Sequence, residues 1–149
     1  MRALVQRVSF GSVKINDPEH YSEISKGMVI LLGIKEDDTE EDLNFVADKC
    51  SNLRIFEDEN DKMNLSVKDV MGEVLIISQF TLYGDTRKGN RPNFSEAAKP
   101  EKAELLYENF IARMKSNIGN DKVKSGLFGA MMLVNIFNEG PVTILVESK

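Results

Sequence analysis

Ser78-Gln79-Phe80-Thr81-Leu82 places two hydroxyls, a carboxamide and an aromatic ring where an apolar run, Glu73 to Ile77, comes to its end. Open sheets present their chemistry at strand ends, so these side chains are candidates for handling a polar, uncharged reacting group. A second segment, Asn138-Glu139-Gly140-Pro141-Val142-Thr143, sets a Gly-Pro dipeptide between two stretches of strand sequence. Proline donates nothing to a sheet ladder and glycine adds nothing to a core, so the pair interrupts good strand sequence for a reason of backbone geometry. The two segments are read as parts of one active site.

Several familiar chemistries have no residues to carry them. A serine or cysteine nucleophile needs a base held beside it. The one histidine, His20, lies in Asp17-Pro18-Glu19-His20-Tyr21, and nothing sets it next to Ser78. One Cys and one His do not build a zinc site of the usual kind, and no spaced Asp loop of the calcium type occurs, so no metal is expected. Gly84-Asp85-Thr86-Arg87-Lys88-Gly89 has neither the Walker spacing nor the Rossmann glycines, which argues against nucleotide cofactors. No cofactor of any kind is expected. An enzyme built this way must work with hydroxyls, amides and backbone dipoles, or borrow a functional group from its substrate.

Composition bounds the rest. With 149 residues, 42% of them hydrophobic, the chain has enough apolar material for one well-buried core and not for two, so a single domain over residues 1–149 is expected. The apolar runs, such as Met28 to Ile34, are far shorter than the roughly 20 residues of a membrane span, and a soluble protein is expected. The N-terminal segment alternates like a strand and lacks the parts of a secretory signal, which points to the cytoplasm. A lone Cys50 on the apolar side of a predicted helix reads as a small buried side chain. The formal charge of −5 argues against a general nucleic-acid coat. Near the first motif, however, Arg87, Lys88 and Arg91 are opposed only by Asp85, with Lys99 and Lys102 following, which makes either a small cationic rim or an ordinary solvated loop.

The elements that must position these residues follow from periodicity. Arg2 to Ser9 alternates, Gly11-Ser12 offers a bend, and Val13 to Ile15 continues the strand. Asn16 to Lys26 reads as a loop, and Gly27 to Ile34 as a central strand buried on both faces. Thr39 caps a helix that runs to Leu53, with apolar positions at Leu43, Val46, Ala47, Cys50 and Leu53. Arg54 to Leu65 is an irregular excursion with room for a short strand, and Glu73 to Gln79 is the next strand. Pro100 opens a second helix whose stripe is Ala103, Leu106, Tyr107, Phe110 and Met114, ending near Gly119. Strands at Lys122–Gly126 and Ala130–Phe137 flank Leu127-Phe128-Gly129, and Val142 to Val146 is a final strand after a Gly-Pro turn. The order predicts a mixed α/β fold with α+β character: layered mixed sheets with two main helices packed on one side.

Taken together, the motifs resemble the D-aminoacyl-tRNA deacylases. The similarity runs through Met1 to Ser9, Ser78 to Leu82, Gly89-Asn90-Arg91-Pro92-Asn93-Phe94, Phe128-Gly129-Ala130-Met131 and Asn138 to Thr143, five motifs in order over nearly the whole chain. The resemblance implies a homodimeric editing hydrolase that cleaves the ester of D-aminoacyl-tRNA, and of glycine mischarged on tRNA(Ala), with tRNA as its partner. It implies that Ser78, Gln79, Phe80 and Thr81 shape the scissile-bond end. In that family the Gly140-Pro141 peptide is cis and enters the partner subunit's site as a chiral filter. It further implies that Arg7 supports this loop, that Phe128, Gly129, Ala130 and Met131 line the terminal adenosine pocket, and that the tRNA 2′-hydroxyl assists water attack. Two other readings stay open: a small-ester hydrolase with Ser78 or Thr81 as nucleophile, and a non-catalytic module that holds the tRNA 3′ end.

Overall fold

The frame of the protein is one long first strand that pairs along both edges. A computed structural model describes residues 1–149. β1 (Arg2–Ile15) meets β2 (His20–Ile24) and then β3 (Gly27–Gly33) in one continuous antiparallel register, from Ile15↔His20 to Arg2↔Gly33. The segment Asn16 to Lys26 thus holds a five-residue strand where sequence predicted only a loop. His-Tyr-Ser-Glu-Ile carries little apolar signal of its own and becomes a strand because β1 extends far enough to pair with it.

α1 (Glu40–Asn52) follows, then a two-stranded ribbon of β4 (Phe56–Glu57) and β5 (Met63–Leu65) inside the irregular excursion. β6 (Glu73–Ser78) lies parallel to β3, from Gly27↔Glu73 to Leu32↔Ser78. A 3-10 turn, Phe80–Tyr83, ends that strand, and α2 (Pro100–Ile118) crosses back to β7 (Val123–Ser125), which pairs parallel to β6. β8 (Leu133–Glu147) closes the sheet on the other edge of β1. The result is a mixed α/β fold with two main helices.

The local causes are visible in the sequence. Thr39 and Asp42 form a reciprocal capping box at the start of α1, three acids fill its first turn, and Pro100 occupies the first turn of α2. The central strands are buried on both faces. Met28, Ile30, Val74 and Ile76 pack against Leu43, Val46, Tyr107 and Phe110 of the helices, while Val29, Leu75 and Ile77 face Val8, Val13, Ile15 and Ile24 of the curled strands. Each such large side chain contributes about 1.5–3 kcal/mol on burial. Arg113 braces the helices through two bonds to Asp48, at 2.9 and 2.7 Å. Cys50 is fully buried, and burial pushes its thiol up to about 12. No helix is long and apolar enough to cross a membrane.

Tyr107 is the one buried aromatic with a polar duty, its hydroxyl donating to the Ile76 carbonyl at 2.9 Å. That carbonyl also accepts from the Gly126 N–H at 3.2 Å, so losing the tyrosine bond does not orphan it. Tyr107→Phe is therefore expected to cost about 1 kcal/mol, a fall in Tm of roughly 2–4 °C in thermal unfolding. A drop above 10 °C would show that the hydroxyl does more than this single bond.

β8 corrects the expected Gly-Pro turn. Sequence predicted two strands with a reversal between them, yet the flanks of Gly140-Pro141 pair with the same edge of β1, Val8↔Asn138 before and Gln6↔Thr143 after. The dipeptide forms a bulge in one strand, with shifts in register on either side of Val8. Gly140 takes φ +125°, a backbone region that side chains rarely enter, and the Gly140-Pro141 peptide is cis.

Candidate functional site

The end of β6 opens into a cavity of about 790 Å3. Ser78, Gln79 and Phe80 line it from the strand end and the 3-10 turn; Phe128, Gly129, Ala130 and Met131 line it from the connection to β8. These two segments, fifty residues apart in sequence, are brought together because β6 and β7 lie side by side and β8 begins just beyond β7. Thr81 stands on the rim, exposed, and its hydroxyl takes a hydrogen bond from the Gln79 carboxamide. Phe128 leans on the core through Tyr107, ring centroids 5.9 Å apart.

The third wall comes from residues to which sequence reasoning gave no role in the site, apart from Lys99 as a member of a candidate cationic rim. Phe94, Ala97, Ala98, Lys99, Pro100 and Ala103 bring the approach to α2 and its first turn over the cavity. Phe94 meets Phe80 edge to face, with centroids 5.1 Å apart and planes at 71°, so two exposed aromatic rings frame the mouth. The signal for Phe94 was an aromatic residue inside a polar loop. Pro100 was read only as a helix start.

Backbone donors dominate the chemistry of the turn. The Gln79 N–H bonds to Leu32 and the Leu82 N–H to Gln79, whereas the N–H groups of Phe80 and Thr81 donate to no group of the protein. Two adjacent free amides at a cavity wall can receive a developing oxyanion. Arg2 fastens the far end of the turn: Nη1 donates to the Leu82 carbonyl at 2.9 Å, Nε to Glu147 at 2.5 Å, and the guanidinium lies 4.6 Å over the Tyr83 ring. Burial raises the Tyr83 phenol, so that group stays protonated beneath the turn. Among the lining side chains only Lys99 is ionisable; no imidazole, carboxylate or thiol reaches the cavity. His20 is bonded elsewhere, its Nε2 2.9 Å from the Ser125 carbonyl. No group of three His, Cys, Asp or Glu side chains is placed to hold a metal ion.

Gly140 and Pro141 are not at this cavity. Their bulge sits beside Arg7, whose Nε donates to the Glu139 carbonyl at 3.0 Å and whose Nη1 donates to the Ile55 carbonyl at 2.9 Å. Glu57 lies 3.8 Å from the same buried guanidinium. The cavity, by contrast, abuts Gly33, where an added Cβ would stand 3.2 Å from the Gln79 carbonyl, and Gly33 pairs with Arg2. Arg2 and Arg7 are five residue steps apart on β1, about 17 Å along the strand. Within one chain the two segments expected to form one site are therefore well apart, a separation that local sequence patterns do not encode.

Comparison with known proteins adds a lineage to this geometry. A family profile described as "D-Tyr-tRNA(Tyr) deacylase" matches residues 4–147. A D-aminoacyl-tRNA deacylase of Clostridium beijerinckii is 58% identical over 149 residues, covering 100% of this chain and 98% of that one. Among solved structures, one named "c-Myc DNA Unwinding Element Binding Protein" superposes with a TM-score of 0.93 at 42% identity, covering 100% of this chain and 99% of the other. A "probable eukaryotic D-amino acid tRNA deacylase" shares the fold, with a TM-score of 0.84 at 20% identity over 98% of both chains. The profile spans both the turn after β6 and the bulge in β8, and with it the chain belongs to the D-aminoacyl-tRNA deacylase family.

Proposed function

We propose that this protein hydrolyses the ester between a D-amino acid, or glycine, and the 3′-terminal adenosine of tRNA, and leaves L-aminoacyl esters intact. The observation that carries this reading is a cavity with two free backbone N–H groups and no side-chain base. Such a site suits a substrate that brings its own proton carrier. Water adds to the ester carbonyl carbon, and negative charge builds on the carbonyl oxygen facing the Phe80 and Thr81 amides. The bond from that carbon to the ribose 3′ oxygen then breaks. The departing oxygen gains the proton of the attacking water through the neighbouring 2′-hydroxyl, releasing tRNA and the free amino acid. The aromatic rings at the mouth offer faces and edges against which the adenine packs.

The bulge at Gly140-Pro141 serves as the chiral filter in this reading, and it reaches a cavity by entering that of a second copy. Two features support a homodimer. The bulge lies too far from the cavity of its own chain, and β8, paired with β1 along one side only, leaves its outer edge open and carries exposed Leu133, Phe137 and Leu145. Light scattering at assay concentration is expected to give twice the chain mass, and a fully active monomer would overturn donation between subunits. Glycine lacks the side chain that such a filter excludes, so glycyl esters are also accepted.

The decisive assay compares D-Tyr-tRNA with L-Tyr-tRNA at low enzyme concentration beside a control without enzyme. Loss of the D ester alone is expected; equal loss of both would indicate a general esterase, and loss of neither a binding module. Because the oxyanion donors are main-chain amides, Ser78→Ala and Thr81→Ala are each expected to retain D-ester turnover within about tenfold. A loss of a thousandfold in Ser78→Ala, with a trapped acyl-serine in the unsubstituted protein, would instead make Ser78 the nucleophile.

A further inference from the structure

Between the 3-10 turn and α2 the chain leaves the cavity wall and returns to it. Asp85 and Asn93 exchange backbone hydrogen bonds of 2.8 and 2.9 Å, and the next residue, Phe94, is the ring at the cavity mouth. Residues Thr86 to Pro92 thus form an arch whose root is fixed to the site. At its crown Gly89 has φ +70°, and an added Cβ there would meet no atom within 4 Å, so the arch stands clear in solvent.

The charges on this arch are unevenly spent. Arg87 folds back on Asp85, with bonds of 2.8 and 2.7 Å, and neutralises it. Lys88 and Arg91 are exposed and join none of the ion pairs of the chain. Across the mouth, Lys99 lines the same cavity at the start of α2, where the helix dipole is also positive. On a protein with a formal charge of −5, Lys88, Arg91 and Lys99 are thus three cations outside any ion pair that stand near the mouth of the cavity.

We propose that the arch, through Lys88 and Arg91, binds the backbone phosphates of the nucleotides just inside the tRNA 3′ end while the terminal adenosine occupies the cavity. This rests on the tRNA-ester reading given above. Phosphate contacts carry no sequence information, which suits an enzyme that must accept many tRNAs. They act equally on bound substrate and transition state, so their loss appears in KM and leaves kcat alone.

The test uses two substrates, D-Tyr-tRNA and 3′-O-D-tyrosyl-adenosine, the second lacking every upstream phosphate. For the double variant Lys88→Ala/Arg91→Ala, kcat/KM on the tRNA is expected to fall about tenfold or more, all of it in KM. The slope of log kcat/KM against log salt is expected to become shallower by about 1.4, for two contacts on a single strand. Turnover of the adenosine ester stays within twofold. Unchanged kcat/KM on tRNA overturns the proposal, as does an equal fall on both substrates, which would mean that the arch shapes the cavity. If the unsubstituted protein hydrolyses neither ester, the tRNA-ester reading falls and takes this proposal with it. If it hydrolyses both while the variant matches it on tRNA, only the arch proposal falls.

Discussion

Gly140→Ala is expected to slow D-aminoacyl-tRNA hydrolysis by about 10- to 100-fold while the protein stays folded. The new Cβ would stand 3.0 Å from Nη2 of Arg7, 3.0 Å from the Val142 side chain and 3.1 Å from the Val142 amide nitrogen. The residue would also have to hold φ +125°, where a side chain collides with its own backbone. Strain of this kind costs about 1–3 kcal/mol, and each 1.36 kcal/mol taken from transition-state stabilisation is tenfold in rate. The bulge is exposed, so it relieves the strain by moving, and the loss falls on the placement of the proposed chiral filter. Single-turnover deacylation of D-Tyr-tRNA, with thermal unfolding as the control for folding, measures it. A D-specific rate within twofold of the unsubstituted protein would remove Gly140 from the reaction.

The second large effect is expected at Arg7. Arg7 is almost wholly buried, 6% exposed, and its guanidinium donates to the Ile55 and Glu139 carbonyls. Arg7→Ala leaves the Ile55 carbonyl buried without a donor and frees the bulge from the sheet. The loss of two charge-assisted bonds, one of them recovered by water, costs about 2–3 kcal/mol. In a chain of this size that lowers Tm by roughly 5–10 °C, and D-ester turnover falls with it because the bulge loses its anchor. Arg7→Lys reaches one carbonyl and should fall between. If Arg7→Ala matched the unsubstituted protein in both Tm and turnover, the guanidinium would be neither a structural tie nor a support for the bulge.

What could be read from the sequence was whatever rests on local repetition. The capped start of α1 at Thr39, the proline start of α2, β3 as a strand buried on both faces, and β6 as the strand that follows all lie within a residue or two of where spacing puts them. β2 escaped because its five residues owe their conformation to a distant partner strand. The Gly-Pro bulge was mistaken for a turn because a strand that steps out and rejoins the same neighbour has the same local composition as one that reverses. The contents of the cavity split in the same way. Ser78 to Phe80 are marked by their position at a strand end, whereas the wall from Phe94 to Ala103 depends on where α2 crosses, which no local pattern records.

β1 is held along both edges, by the β2–β3 ladder on one side and β8 on the other. A one-residue slip in such a strand turns every side chain to the opposite face. Arg2, which ties down the turn beside the cavity, and Arg7, which ties down the bulge, are five residues apart on that strand and so on opposite faces of the sheet. Inserting or deleting one codon between them would leave at least one guanidinium facing away from the group it holds. The arch from Thr86 to Pro92, anchored only at Asp85 and Asn93, can change in length without disturbing either arginine. A change in chain length is thus expected to be tolerated in the segment that meets solvent and not in the first strand.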